Sequence, residues 1–256
     1  MSFLSGTRSI KAVRSRRPDS TRALLDEARV VSRLQHPNIV TLFDALQDGV
    51  DNYLVFEFVA GTTLDCLIRG EGHIEKMRAA TLAMQVLEGL AFAHGKDVVH
   101  RDIKPANIMV VQGTEVKVAD FGAAFMRSAT TTQIETIGSP AYMAPEQFQG
   151  KALFASDIYS LGATFFQMLT GQPPFVGATA DDTLRLHAEA PVPNPATLNP
   201  KVPAGLQQIV ARMLAKKPAA RFQSCDWPGR HWAQPMPIVR EVTRRRSTAG
   251  TVLLVT

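Results

Sequence analysis

The chain has 256 residues, of which 45% are hydrophobic and 20% charged, so it can bury a core as one large domain or two small lobes, and global disorder is excluded. Its two cysteines, Cys66 and Cys225, form no Cys-x-x-Cys pair, which excludes a disulfide framework and fits a reducing compartment. No apolar run reaches the length of a membrane span and Met1–Gly6 is too weakly apolar for a signal peptide, so a cytoplasmic location is expected. The net charge of +5 is concentrated at Arg8–Arg22 and Arg240–Arg246 without interleaved aromatics, a pattern of solvated faces or tails rather than of a nucleic-acid partner.

In chain order, residues 8–14 alternate as a strand. Pro18-Asp19-Ser20-Thr21 is a helix start signal, and Leu24, Leu25, Ala28, Val31 and Leu34 follow at helical spacing. Ile39–Leu46 and Tyr53–Phe58 predict two strands with a turn at Asp48-Gly49. Thr62-Thr63-Leu64-Asp65 opens a short helix. Ala79, Leu82, Ala83, Val86, Leu87, Leu90 and Ala93 or His94 then make an i, i+3, i+4 stripe that predicts a long buried helix, with His94 a structural residue. Ile108–Val111 and Glu115–Ala119 predict a hairpin turning near Gln112-Gly113. A further apolar helix is expected from Ser156-Asp157 to Thr170-Gly171, ended by Gln172-Pro173-Pro174, and another on the stripe Leu206, Ile209, Val210, Met213 and Leu214. The prolines at 228, 235 and 237 disfavour a helix beyond residue 224.

Three motifs carry chemistry. His100-Arg101-Asp102-Ile103-Lys104-Pro105-Ala106-Asn107 is followed, thirteen residues after its Asn, by Asp120-Phe121-Gly122, and later by Ala144-Pro145-Glu146. A lone His-Arg-Asp or Asp-Phe-Gly is commonplace; the three in this order are not. The chain resembles the eukaryotic-like (Hanks-type) Ser/Thr protein kinases that bacteria also carry, over about residues 8–223. The resemblance implies an α+β, two-lobe protein-kinase-like fold. Residues 1–59 would form a partial small lobe, 60–224 a mainly helical large lobe, and 225–256 a tail without an assigned role.

It also implies roles. Asp102 would be the base for an incoming hydroxyl, Lys104 would neutralise the transferring phosphate, and Asn107 with Asp120 would hold Mg²⁺. Lys11 and Glu27 would pair over the ATP phosphates. Phe56 would be the gatekeeper, and Glu57, Phe58 and Val59 the hinge whose backbone bonds adenine, although Phe56 and Phe58 could equally be plain core. Asp157 would anchor the catalytic loop, Arg221 would pair with Glu146, and the hydroxyls at Ser128–Thr132 and Thr136 offer sites for regulatory phosphate. Gly138–Glu146 resembles the peptide-docking end of the activation segment, which points to protein Ser/Thr hydroxyls rather than small alcohols. Only ten residues precede Lys11 and Gly6 is the sole glycine among them, so the Gly-rich loop of kinases has no counterpart there. The chain is therefore expected to be a truncated Ser/Thr kinase domain, with a catalytically weak kinase-shaped binding module as the alternative.

Overall fold

The computed structural model describes residues 8–14, 28, 30–48, 51–121 and 139–223. Its first sheet is antiparallel, in the order β1 (Arg8–Arg14), β3 (Asp51–Glu57), β2 (Leu42–Asp48). Register pairs Lys11 with Leu54 and Ser9 with Phe56. Leu54, Phe56 and Leu42 are buried there, whereas Phe43 and Leu46 of β2 stay exposed. Ala28, Val31 and Leu34 are buried at the spacing the stripe predicts.

A second small sheet, β4 (Thr62–Thr63), β5 (Ile108–Val111) and β6 (Glu115–Val118), carries the predicted hairpin. Its turn places Gln112 and Gly113 at φ of 48° and 76°, a left-handed conformation that glycine tolerates at little cost. Residues 38–40 dock on this hairpin: Val118 N donates to Asn38 O and Val40 N to Val118 O.

Helix α1 (Leu64–Glu71) starts at Thr63, whose hydroxyl accepts from Cys66 N. Helix α2 (Lys76–His94) is capped by the Glu75 carboxylate, which accepts from Met77 N and Arg78 N. It is buried along most of its length, and its one amide side chain, Gln85, is buried and hydrogen-bonded at both ends. Gln85 Oε1 accepts from Asn38 Nδ2 (3.2 Å) and Val116 N (3.0 Å), while its Nε2 donates to Thr114 O (2.7 Å). This buried amide pair joins α2, β6 and the 38–40 segment.

Helix α3 (Phe154–Thr170) is the centre of the molecule: Ser156 through Leu169 are all buried. A helix apolar on all sides belongs inside a domain. It packs against α5 (Ala204–Met213) so closely that a Cβ on Gly162 would stand 2.7 Å from Met213 Cβ. It stops at Gly171, at φ 88°. Helix α4 (Ala180–Glu189) was not predicted. Thr179 starts it by accepting from Asp182 N, and Asp181 and Asp182 complement its N-terminal dipole.

Two buried polar clusters fasten the helices. In the first, Arg221 Nη1 and Nη2 meet Glu146 Oε1 and Oε2 at 2.6 and 2.8 Å. The remaining Arg221 donors reach Ala155 O, Ala215 O and Lys216 O, so all five are satisfied in a residue only 1% exposed. Burial opposes ionisation of Glu146, but the bonds from Arg221 and Ser156 outweigh it and hold the carboxyl below its usual range. In the second cluster, His187 of α4 is fully buried between Tyr159 and Phe175, with Nδ1 2.9 Å from the Tyr159 hydroxyl. Burial and the Lys216 charge push the His187 ring down to about 4, and Lys216 Nζ caps the α4 carbonyls of Leu186 and His187.

Removing one partner of the first cluster leaves an unpaired buried charge. Glu146→Ala is expected to cost about 3–5 kcal/mol in urea unfolding, and Glu146→Leu combined with Arg221→Met less than the two single losses added together. Additive losses would show that the pair is not coupled.

The second cluster predicts a pH dependence. His187 is neutral in the folded and unfolded chain above its ordinary value of 6.5; between 6.5 and about 4 the unfolded chain takes up a proton that the folded ring refuses. The folded state therefore loses stability as pH falls through that window, at up to about 1.4 kcal/mol per pH unit. The stability deficit of His187→Gln relative to wild type should narrow between about pH 7 and about pH 5. A constant deficit would overturn this account.

Candidate active site

The loop between α2 and β5 carries the first motif, and its geometry is set from below by α3. Asp157, fully buried, accepts from His100 N through Oδ2 and from Arg101 N through Oδ1, both at 2.8 Å. His94 Nε2 meets the same Oδ2 at 2.8 Å, and its ring stacks on Phe154. His94 is thus structural, as expected, through one named carboxylate.

His100 has no exposed surface. Asp102 N donates to its Nδ1 at 3.2 Å, so Nδ1 is the acceptor and the proton sits on Nε2, which donates to Ala119 O at 2.9 Å. The ring therefore bridges the loop to the residue before Asp120, with Phe121 packed edge-on at 4.6 Å. A second bridge runs from Ala119 N to Asn107 O at 2.8 Å. These two bonds and the β5–β6 register bring the backbone of the first motif to that of the second.

Within the loop, three predicted residues converge. Lys104 Nζ lies 2.9 Å from Asp102 Oδ2, and Asn107 Nδ2 lies 3.1 Å from the same oxygen while also donating to Asp102 O. Lys104 is extended (φ −160°, ψ 164°), and Pro105–Asn107 then form one 3-10 turn. The Asn107 amide nitrogen is turned to Asp102, so its Oδ1 points the other way as a neutral oxygen. Arg101 and Asp120 both sit at positive φ, 69° and 63°, a region that non-glycine residues seldom occupy.

The predicted hinge is anchored by a contact that the sequence did not signal. Glu57 carboxylate oxygens accept from Lys117 Nζ of β6 at 2.9 and 3.0 Å, and Glu57 N donates to Thr41 O. A Lys-Glu pair sixty residues apart carries no periodic signature. Val59 O accepts from Gly61 N. Phe56 is buried, but Phe58 is half exposed and is not a core residue. A Cβ on Gly61 would stand 2.5 Å from Val110 O, so the chain passes directly over β5 there.

Not every predicted residue can be placed. Lys11 lies opposite Leu54 in β1 by its backbone register, but its side chain lies outside the described residues. Glu27, Gly122 and the hydroxyl-bearing residues 128–136 do so entirely. At the far end of that stretch, Pro140–Tyr142 and Pro145–Gln149 form two 3-10 turns. The second presents Glu146 to Arg221 and Gln147 to the loop, where Gln147 Nε2 donates to Arg101 O at 2.9 Å. Gln147 was missed; only its place next to the Ala-Pro-Glu motif could have flagged it.

The residues fit a hard cation shared with phosphates. Asn107 Oδ1 and the Asp120 carboxylate are oxygen donors on adjoining backbone. Among the described residues no group of three His, Cys, Asp or Glu could hold a metal by itself. Mg²⁺ commonly takes one or two protein oxygens and completes its shell from water and substrate phosphate.

Residues 6–232 match the protein kinase domain family. Over 203 residues, 78% of this chain, the sequence is 39% identical to a probable serine/threonine-protein kinase of Clostridium acetobutylicum and 38% identical to the serine/threonine-protein kinase PrkC of Bacillus subtilis. In each case it spans 31% of the relative's length, so the chain covers about a third of the curated relatives it matches. The crystal structure of Rad53 in complex with AMP-PNP superposes with a TM-score of 0.73 at 25% identity, over 85% of this chain and 55% of that one. With the family match running through the anchored loop, the bridged hairpin and the Glu146–Arg221 pair alike, the chain belongs to the protein kinase domain family.

Proposed function

We propose that the chain transfers the γ-phosphoryl group of ATP to Ser or Thr hydroxyls of proteins, with Mg²⁺ as the assisting ion. The observation that carries this is the convergence of Lys104 Nζ and Asn107 Nδ2 on one oxygen of Asp102, at 2.9 and 3.1 Å, on a loop tied by His100 and Asn107 to the residue before Asp120. The names of the relatives as serine/threonine-protein kinases support the acceptor class, and the AMP-PNP in the Rad53 complex supports ATP as donor.

Phosphoryl transfer asks a protein for position and charge compensation more than for covalent chemistry. Asp102 Oδ2 is held by two donors, which leaves Oδ1 to accept the proton of an incoming hydroxyl. Lys104 brings a positive charge beside that carboxylate, where negative charge builds on the transferring group. Asn107 Oδ1 and Asp120 would hold Mg²⁺, which when bound supplies neutralisation of the phosphate oxygens. At the hinge, Glu57 N–H is committed to Thr41 O, whereas Val59 N–H meets no backbone acceptor among the described residues and suits an adenine nitrogen. Lys11, with Glu27 as its partner, is assigned the α- and β-phosphates on the family pattern alone. The division into a small lobe to residue 59, a large lobe to 224 and a tail beyond belongs to this proposal. So does a cytoplasmic site of action, where ATP is abundant; no helix among the described residues is long and apolar enough to cross a membrane.

The test is transfer from γ-labelled ATP with Mg²⁺ to the chain itself and to a generic basic protein. Asp102→Asn should lower turnover by about 10²–10⁴-fold while nucleotide binding persists. Asp120→Ala should abolish both turnover and Mg²⁺-dependent nucleotide binding. Unchanged turnover in Asp120→Ala would remove that residue from the site, and a wild-type chain that neither transfers phosphate nor binds nucleotide would overturn the enzyme reading in favour of a kinase-shaped binding module.

A further inference from the structure

We propose that Gln147 is a positioning residue for Asp102, and that through it the peptide-docking turn and the catalytic loop are set as one unit. The proposal rests on the kinase reading of the site, but its structural part can be tested apart from that reading.

Its basis is the peptide unit between Arg101 and Asp102. The N–H of that unit belongs to Asp102 and donates to His100 Nδ1 at 3.2 Å; the carbonyl belongs to Arg101 and accepts from Gln147 Nε2 at 2.9 Å. One step back, Arg101 N is held by Asp157 Oδ1. Arg101 itself is in the left-handed region at φ 69°, which a bulky side chain leaves unless its surroundings hold it there. Asp157 fixes the entry to this residue and Gln147 fixes its exit. The orientation of the exit peptide sets where the Asp102 side chain starts.

The orientation of the Gln147 amide is not in doubt chemically. Ala144 N is a donor, so the atom it meets at 3.0 Å is the amide oxygen, and Arg101 O is an acceptor, so the atom facing it is the nitrogen. One side chain therefore uses its oxygen to close the Ala144–Gln147 turn, whose backbone also closes through Gln147 N to Ala144 O, and its nitrogen to hold the peptide before the base. The same turn carries Glu146 into its buried pair with Arg221. If the turn is displaced, the peptide before Asp102 loses its carbonyl holder while Asp157 keeps its grip on Arg101 N. The base is then misdirected in a loop that remains folded.

The discriminating variant is Gln147→Glu, which keeps an oxygen for Ala144 N but presents a second oxygen to Arg101 O where a donor is needed. Gln147→Ala removes both contacts, and Gln149→Ala, at an exposed position of the same turn, is the control. Peptide phosphorylation is measured with KM for ATP and kcat resolved separately, alongside hydrogen exchange of the segment containing residues 100–104 and of a segment within α3. In Gln147→Glu and Gln147→Ala we expect kcat to fall about ten- to a hundredfold, with KM for ATP within about twofold of wild type. Exchange should rise in the 100–104 segment and stay unchanged in α3, and Gln149→Ala should match wild type throughout. The proposal is overturned if kcat and loop exchange in Gln147→Glu both match wild type, or if exchange rises equally in α3, which would make Gln147 a general stabiliser. If wild type transfers no phosphate, the kinase reading fails by itself and the exchange comparison alone decides whether Gln147 holds the loop.

Discussion

A carboxylate with no exposed surface holds the loop of the first motif in place. Asp157 stands in the first turn of the most deeply buried helix, and its two oxygens take the N–H groups of His100 and Arg101 and the ring of His94. Desolvating a carboxylate is expensive, and what offsets the expense here is the number and shortness of the bonds it accepts. The consequence is directional. Apolar packing of Ile103 and Pro105 seats the loop, and two of its backbone N–H groups are hung from a carboxylate whose position a helix fixes. Everything downstream of Arg101, including the convergence of Lys104 and Asn107 on Asp102, inherits that origin.

The other buried polar groups extend the same scheme outward. His100 transmits the loop to Ala119, Gln85 and Asn38 join α2 to β6, and Glu57 with Lys117 joins β6 to the end of β3. Arg221 meets Glu146 with both ends of its fork and spends its remaining donors on three carbonyls. Each of these connects elements far apart in sequence, and each restricts where its partners can sit. Apolar burial on α2, α3 and α5 supplies the bulk driving force for folding. The polar bonds select one arrangement of those helices relative to the loop.

How much of this could be read beforehand depended on whether the signal was local. The α2 and α5 stripes, the Gln112-Gly113 turn and the three motifs are local patterns, and the structure has those elements at those places. Helix α4 escaped because its start signal, Thr179 followed by Asp182, heads a segment with only Thr183 and His187 buried, too few for an apolar stripe. Phe58 was legible as hydrophobic but not as exposed, since exposure at a chain crossing depends on what lies across it. The partners of Asp157, Glu57 and Gln147 were not legible from spacing at all. A buried hydrogen bond between residues tens of positions apart leaves no periodicity, and only the resemblance to kinases nominated Asp157 and Arg221. Glu27 and residues 122–138, on which the phosphate-lysine pair and the regulatory hydroxyls depend, lie outside the described structure.

The backbone of the candidate site is itself strained. Arg101 and Asp120 are the residues immediately before the expected base and at the expected metal position, and both lie at positive φ without being glycine. Such a conformation costs on the order of 1–3 kcal/mol and persists only where neighbouring groups over-determine it. Here they do: Arg101 is bonded at its N–H and its carbonyl, and the residue before Asp120 is bonded at both of its backbone groups, to Asn107 O and to His100 Nε2. The strained residues flank the point where Lys104 and Asn107 meet Asp102, so the bonds that hold Arg101 and Ala119 are also what keep that convergence in place.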